Sequence, residues 1–263
     1  MTTTVQDPAV RQTPASRVLA LAGAEVKLLV RNRTAAISAL FLPVAFGVFF
    51  AFTFDGGDDG PWGTIVALQL VLTFTMGVYI TITQAVVSRR QTRVLKRMRT
   101  SGLSDLGVLL AVTGPGVAIA VLHLVLYLLI DVLLGMPLAL DPVPVLLAVI
   151  GGFALCVAAG FATANVTPTP ERAQITTLPL FFVMFAAAFA LPQVPVDSPW
   201  QAAVLVPGAP LGQLTQLAFT GGTWAPGLLG LPAVLPGVVS LVLWAAVFAV
   251  LARRDFRWDP RSI

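Results

Sequence analysis

The chain has 263 residues, 57% of them hydrophobic and 11% charged, where a soluble domain carries about 25% charged residues. That balance, with a mean hydropathy of +0.89, argues against a water-soluble globule and for a polytopic membrane protein. The formal charge of +4 is modest, and the single cysteine, Cys156, rules out an internal disulfide or a cysteine metal site.

Taken in order, the first residues are polar and proline-containing. They lack the apolar core and small-residue cleavage site of a secretory signal peptide. Residues 16–33 read as an amphipathic helix. Val18, Leu19, Ala22, Val26, Leu29 and Val30 share one side, and Arg17, Glu25, Lys27 and Arg31 lie elsewhere. A helix lying in the headgroup layer has this pattern.

Six apolar stretches follow, near 35–54, 63–87, 106–134, 143–166, 172–191 and 228–251. Each approaches the ~20 apolar residues that a helical crossing requires. The expected fold is therefore an all-α integral membrane protein with six transmembrane helices. Its membrane domain covers 35–251, with an N-terminal tail at 1–34 and a C-terminal tail at 252–263. The fifth span is interrupted by Pro179, but it begins well. Thr169 suits the cap, Pro170 the first helical position, and Glu171 the positive helix end.

Charge fixes the expected orientation. With both ends in the cytoplasm, the inner segments hold Arg11, Arg17, Lys27, Arg31, Arg33, Arg89, Arg90, Arg93, Lys96, Arg97, Arg99, Arg172, Arg253, Arg254, Arg257 and Arg261, all 16 basic residues. The outer segments carry Asp55, Asp58, Asp59, Asp141 and Asp197 instead. The positive-inside rule is met without exception.

Six of those cations fall in one stretch, Ser88 to Leu106. Read as a helix, it gathers Val87, Val94, Leu95 and Met98 on one side and Arg89, Arg93, Lys96, Arg97 and Thr100 opposite. Gly102 breaks the helix, and Ser104 caps a new one with Asp105 in its first turn. Physics alone leaves two readings open: a docking helix, or a positive-inside loop that happens to be amphipathic.

The segment VLKRMRTSGLSDLGVLLAV resembles the stretch between the second and third membrane helices of ABC-2-type permeases, a pattern close to GTLxRLRxTPLS before an apolar helix. Leu95, Arg97, Met98, Arg99, Ser101, Leu103 and Ser104 match it. Arg89, Arg90, Gln91, Thr92 and Arg93 stand where the family often has Glu residues and a Gly, and Gly102 replaces the Pro. The six-span layout extends the resemblance over nearly the whole chain.

The resemblance implies a coupling helix that meets a separate ATPase through Thr92, Val94, Leu95, Lys96, Arg97, Met98, Arg99 and Ser101. It also implies a connecting helix at 16–33 near that partner, the alternative being a plain surface anchor. Before the last span, the stretch 192–227 carries six prolines and apolar pieces too short to cross. It is similar to the family's re-entrant pair. The implied outer gate is Trp200, Leu205, Pro207, Leu211, Leu214 and Leu217; the alternative is an ordered outer loop.

Other groups keep two readings. Phe46, Phe49, Phe182 and Phe185 suit an apolar substrate path or face lipid and core. Thr73, Gly77, Thr81 and Ala85, like the small stripe Gly152, Cys156, Gly160 and Ala164, serve close helix packing, line that path or meet a second copy of the chain. His123 and Asp131, eight apart inside the third span, form a proton relay or are packing residues. No GxxxxGK[ST] is present, since Lys27 and Lys96 are the only lysines; ATP binding through a P-loop is excluded. There is no HExxH and no GxSxG.

The expectation is a non-catalytic permease subunit of an ATP-driven exporter in a bacterial plasma membrane, similar to antibiotic-resistance permeases. It pairs with a second copy or a paralogue and with two copies of a P-loop ATPase that hold ATP and Mg. No nucleic-acid partner is expected. The cargo is hydrophobic or amphipathic: drug, antibiotic or lipid-like. The alternatives are a proton-coupled carrier using His123 and Asp131, or a permease for polysaccharide or lipid-linked glycan.

Overall fold

A computed structural model describes residues 13–31, 33–54, 60–92, 94, 104–195 and 198–254. Among these residues there is no strand. The helices are α1 (Pro14–Arg31), α2 (Arg33–Thr53), α3 (Trp62–Gln91), α4 (Asp105–Val112), α5 (Gly114–Leu133), α6 (Val143–Val166), α7 (Pro170–Ala190), α8 (Ala209–Thr220) and α9 (Val234–Arg254). Helices α3, α5, α6, α7 and α9 are long and apolar enough to cross a bilayer. The apolar part of α2, Ala39–Thr53, is shorter. Arg31, Arg89, Arg90, Arg172, Arg253 and Arg254 all fall at one end of these alternating helices, called the basic end below.

The caps follow the sequence. The Ser104 hydroxyl accepts from the Gly107 amide at 3.1 Å, and Thr169 accepts from Arg172 at 3.4 Å. The third stretch departs from a single helix. It divides at Thr113 into α4 and α5, because Pro115 has no N–H to continue the ladder. Pro179 lies inside α7 without ending it.

Helix α3 is the axis. In its apolar window 78% of residues are buried, against 22–39% in the other four spans, and α2, α5, α6, α7 and α8 all pack on it. Its middle, Thr73–Ile80, is wound as a π-helix, a form common at functional sites. The Thr81 hydroxyl donates to the Met76 carbonyl, five residues back, at 3.4 Å. Within this turn the Tyr79 hydroxyl meets that of Thr163 at 2.9 Å, and just past it Thr83 donates to the Gly160 carbonyl at 3.2 Å.

The small stripe of α6 serves packing inside one chain. A Cβ on Gly152 would lie 2.8 Å from the Phe74 ring and 2.9 Å from Leu211. One on Gly160 would lie 2.9 Å from Ile82 and 3.2 Å from the Tyr79 carbonyl. Only glycine lets α3 and α6 approach this closely.

Candidate functional site

Three regions matter: an aromatic surface between α2 and α7, the basic end of α3, and the segment before α9. On the first, Phe50 of α2 meets Phe185 of α7 with ring centroids 5.7 Å apart, and Phe54 meets Phe189 at 5.9 Å. Phe46 and Phe49 flank Phe50, and Phe181 and Phe182 flank Phe185. Phe46, Phe49 and Phe182 remain 43%, 57% and 58% exposed. The structure thus joins four sequence-selected phenylalanines, Phe46, Phe49, Phe182 and Phe185, in one seam.

The three small residues of α3 do not join that seam as a set. Thr73 and Gly77 are buried, and Gly77 faces Ile119 and His123 of α5. Thr81 is half-buried. A four-residue stripe keeps one face only in an α-helix, and the π-turn rotates it.

At the basic end, sequence placed Arg89 and Arg90 together as an interfacial stop. The structure separates them. Arg89 is half-buried and donates to its own helix at the Ala85 carbonyl, 2.9 Å away. Arg90 is only 1% exposed and donates to the Thr167 carbonyl at 2.6 Å. Gln91 donates to the Pro168 carbonyl at 3.4 Å. The end of α3 is thereby tied to the turn between α6 and α7. Thr92 and Val94 are exposed beyond it. Leu95, Lys96, Arg97, Met98, Arg99 and Ser101 lie outside the described residues.

Before α9 the chain folds into the bundle and back. Pro199–Leu205 is a 3-10 turn, bent by 116° from α8. Gly208, at φ +95°, sits against the Met184 backbone, six residues inside α7, about 9 Å along its axis. Twelve residues of α8 rise only ~18 Å, and α8 returns to the α5–α6 loop at the end opposite the basic one, where the Asp141 amide donates to the Ala218 carbonyl at 3.1 Å. The Leu205 carbonyl accepts from the Trp244 indole at 2.7 Å. Irregular backbone at this depth needs such a protein partner. Of the sequence-selected gate residues, Pro207, Leu211 and Leu214 are buried, Leu217 is half-buried, and Trp200 and Leu205 are exposed. Trp244 was not selected from the sequence, since a tryptophan in a span gives no sign of its partner.

A family model described as ABC-2 family transporter protein matches residues 62–254. The chain belongs to the ABC-2 transporter family. A search of curated proteins gave no match. The matched segment begins with the first residue of α3 and ends with the last of α9. This ABC-2 permease is a multi-pass membrane protein, and subunits of the family work with an ATPase subunit.

The permease also buries a polar column on α5. His123, Tyr127 and Asp131 are 0%, 3% and 2% exposed, four residues apart and so on one face. Gln69 of α3 donates to Asp131 at 2.9 Å. The Tyr127 hydroxyl donates to the Pro43 carbonyl of α2 at 2.5 Å. Sequence paired His123 with Asp131; Tyr127 between them escaped it, because a tyrosine in a span is common as an interface anchor.

Proposed function

We propose that this chain is the transport subunit of an ATP-driven exporter, with its basic end in the bacterial cytoplasm and a separate ATPase docked there. The cargo is a hydrophobic or amphipathic small molecule, drug-, antibiotic- or lipid-like. One observation carries the cargo class: the phenylalanine seam between α2 and α7, partly exposed and built from uncharged rings. An apolar molecule gains by covering such rings, whereas an ion leaving water there would find no counter-charge.

A glycan is a poorer fit. Sugars stack on free ring faces, and these rings pack on one another at 5.1–6.5 Å. A proton-coupled carrier is also less well supported, because Asp131 is held by Gln69 and His123 is fully buried. In the exporter reading, nucleotide-driven closure of two ATPases moves the stretch after Thr92. Arg90 and Gln91 carry that motion to the α6–α7 turn and to α3. Two permease copies then change the opening between their seams, and the re-entrant segment before α9 controls release. Such coupling requires two states that the nucleotide stabilises unequally.

The test is ATPase stimulation in nanodiscs containing the permease and its co-purified ATPase, with a panel of apolar and charged compounds. Stimulation by apolar members, lost in Phe49→Ser with Phe182→Ser, supports the reading. Stimulation only by charged members, or none sensitive to the seam, sinks the cargo class.

A further inference from the structure

At the end of the bundle opposite the basic one, a cavity of about 510 Å³ lies between the end of α7, the turn before α8, α8 itself and the segment before α9. Small-molecule sites usually measure about 300–1,000 Å³. Gln193, Pro195, Thr220 and Gly222 line it and are exposed, so its mouth is at the surface.

The sequence of α8 decides much of the lining. Leu211, Leu214, Thr215 and Ala218 are buried in the bundle. Gln213, Gln216, Leu217 and Thr220 recur at helical spacing on one face, and all four line the cavity. That face rises about 10 Å from Gln213 to Thr220 at the rim. Gln193 and Gln201 join it from the preceding segment. Four of the chain's ten glutamines therefore meet at one cavity, with Leu191, Leu217 and Leu228 as apolar wall. Among the described residues that line it, none is ionisable and none is aromatic.

The walls are braced without a ligand. Gln201 is 8% exposed and donates to the Val194 carbonyl at 2.7 Å and to the Pro195 carbonyl at 3.3 Å. A Cβ on Gly212 would overlap the Ala188 carbonyl, so α8 lies directly on α7. Across the cavity the Ala233 amide donates to the Ala225 carbonyl at 3.0 Å, and the Val234 amide to the Thr223 carbonyl at 3.1 Å. Gln213 takes no part in this bracing. Its carboxamide oxygen is buried beside Gly237 of α9 and has no hydrogen-bond partner. Such an oxygen costs stability and is rare in a folded protein.

We propose that this cavity binds an uncharged apolar molecule that carries amide groups. A charged group entering it would lose water and find no counter-charge. Each glutamine offers two donors and an acceptor, which match the C=O and N–H of an amide, while the leucines cover the apolar remainder. A sugar would find hydrogen bonds there but no ring face to stack on. On binding, Gln213 turns about its last side-chain bond, and its oxygen takes an N–H of the bound molecule. That molecule then bridges α7, the turn before α8 and the segment before α9. The site needs neither the ATPase nor the phenylalanine seam, so its failure and that of the cargo reading are separate results.

The experiment uses the full chain in lipid nanodiscs with Thr220→Cys as reporter. Thr220 is exposed at the rim, and its hydroxyl is already bonded within its own helix, to the Gln216 carbonyl at 2.8 Å. Native Cys156 is fully buried. The rate of alkylation by a sulfonated maleimide is measured against added N-acetyl-leucyl-leucinamide, its free acid N-acetyl-leucyl-leucine, and methyl glucoside. The amide should slow the reaction saturably by fivefold or more, and the acid and the sugar should not. Gln213→Leu should raise the half-protecting concentration by about fivefold, the worth of one net hydrogen bond, and Gln216→Leu should do the same. Gln213→Leu removes an unpaired oxygen and keeps the shape, so its thermal midpoint should not fall. Absence of protection, equal protection by the acid, or full protection in Gln213→Leu overturns the site. A lowered midpoint in Gln213→Leu overturns it too, because the oxygen would then be serving the fold.

Discussion

Replacing Arg90 by Met tests how the basic end of α3 is joined to the bundle. The guanidinium is 1% exposed and bonded to the Thr167 carbonyl at 2.6 Å. A hydrogen bond from a charged donor contributes about 1.5–3 kcal/mol, and the truncation also strips a buried carbonyl of its donor. Arg90→Met should therefore lower stability by about 2 kcal/mol, or about 4 °C in the midpoint for a chain of this size. Arg90→Lys keeps the charge but not the planar fork, and should fall between. Arg254→Met, at an exposed site of the same basic end, is the control and should change little. The assay is thermal unfolding in detergent, followed by size-exclusion recovery. Equal midpoints for Arg90→Met and Arg254→Met would refute the reasoning, because the burial and the bond would then carry no energy.

Three further outcomes are expected, two from the packing and one from the proposed docking of the ATPase. Trp244→Phe keeps a ring but leaves the Leu205 carbonyl without its indole donor; it should destabilise by about 1–3 kcal/mol, read as faster proteolysis at the 199–208 turn. Gly152→Leu drives a side chain into Phe74 and Leu211, and overpacking there should cost about 1–3 kcal/mol or abolish folding, read as loss of a monodisperse peak. Changing Val94, Leu95 and Met98 together to Asp should abolish co-purification of the P-loop ATPase while the permease stays folded. Retention of the ATPase would move the docking surface elsewhere.

Much of this protein was legible in the chain because a bilayer imposes rules that act on sequence directly. Runs of about 20 apolar residues, cations confined to one set of loops, and caps such as Ser104 and Thr169 depend only on local neighbours and on lipid. The family followed from the same kind of local pattern around Leu95–Ser104. Tertiary contact decided the rest. Sequence assigned Arg90 to the surface because arginine normally goes there; the Thr167 carbonyl, 77 positions away, buried it. The stripe Thr73, Gly77 and Thr81 assumed a uniform helical period, and the π-turn changed that period where α5 and α6 both press on α3. Tyr127 gained its meaning from Pro43, 84 positions earlier. In a membrane the sequence determines which segments can cross and at which end their cations gather, since hydropathy and charge are properties of segments. Which buried polar group meets which carbonyl is a property of pairs, and only the packed bundle brings those pairs together.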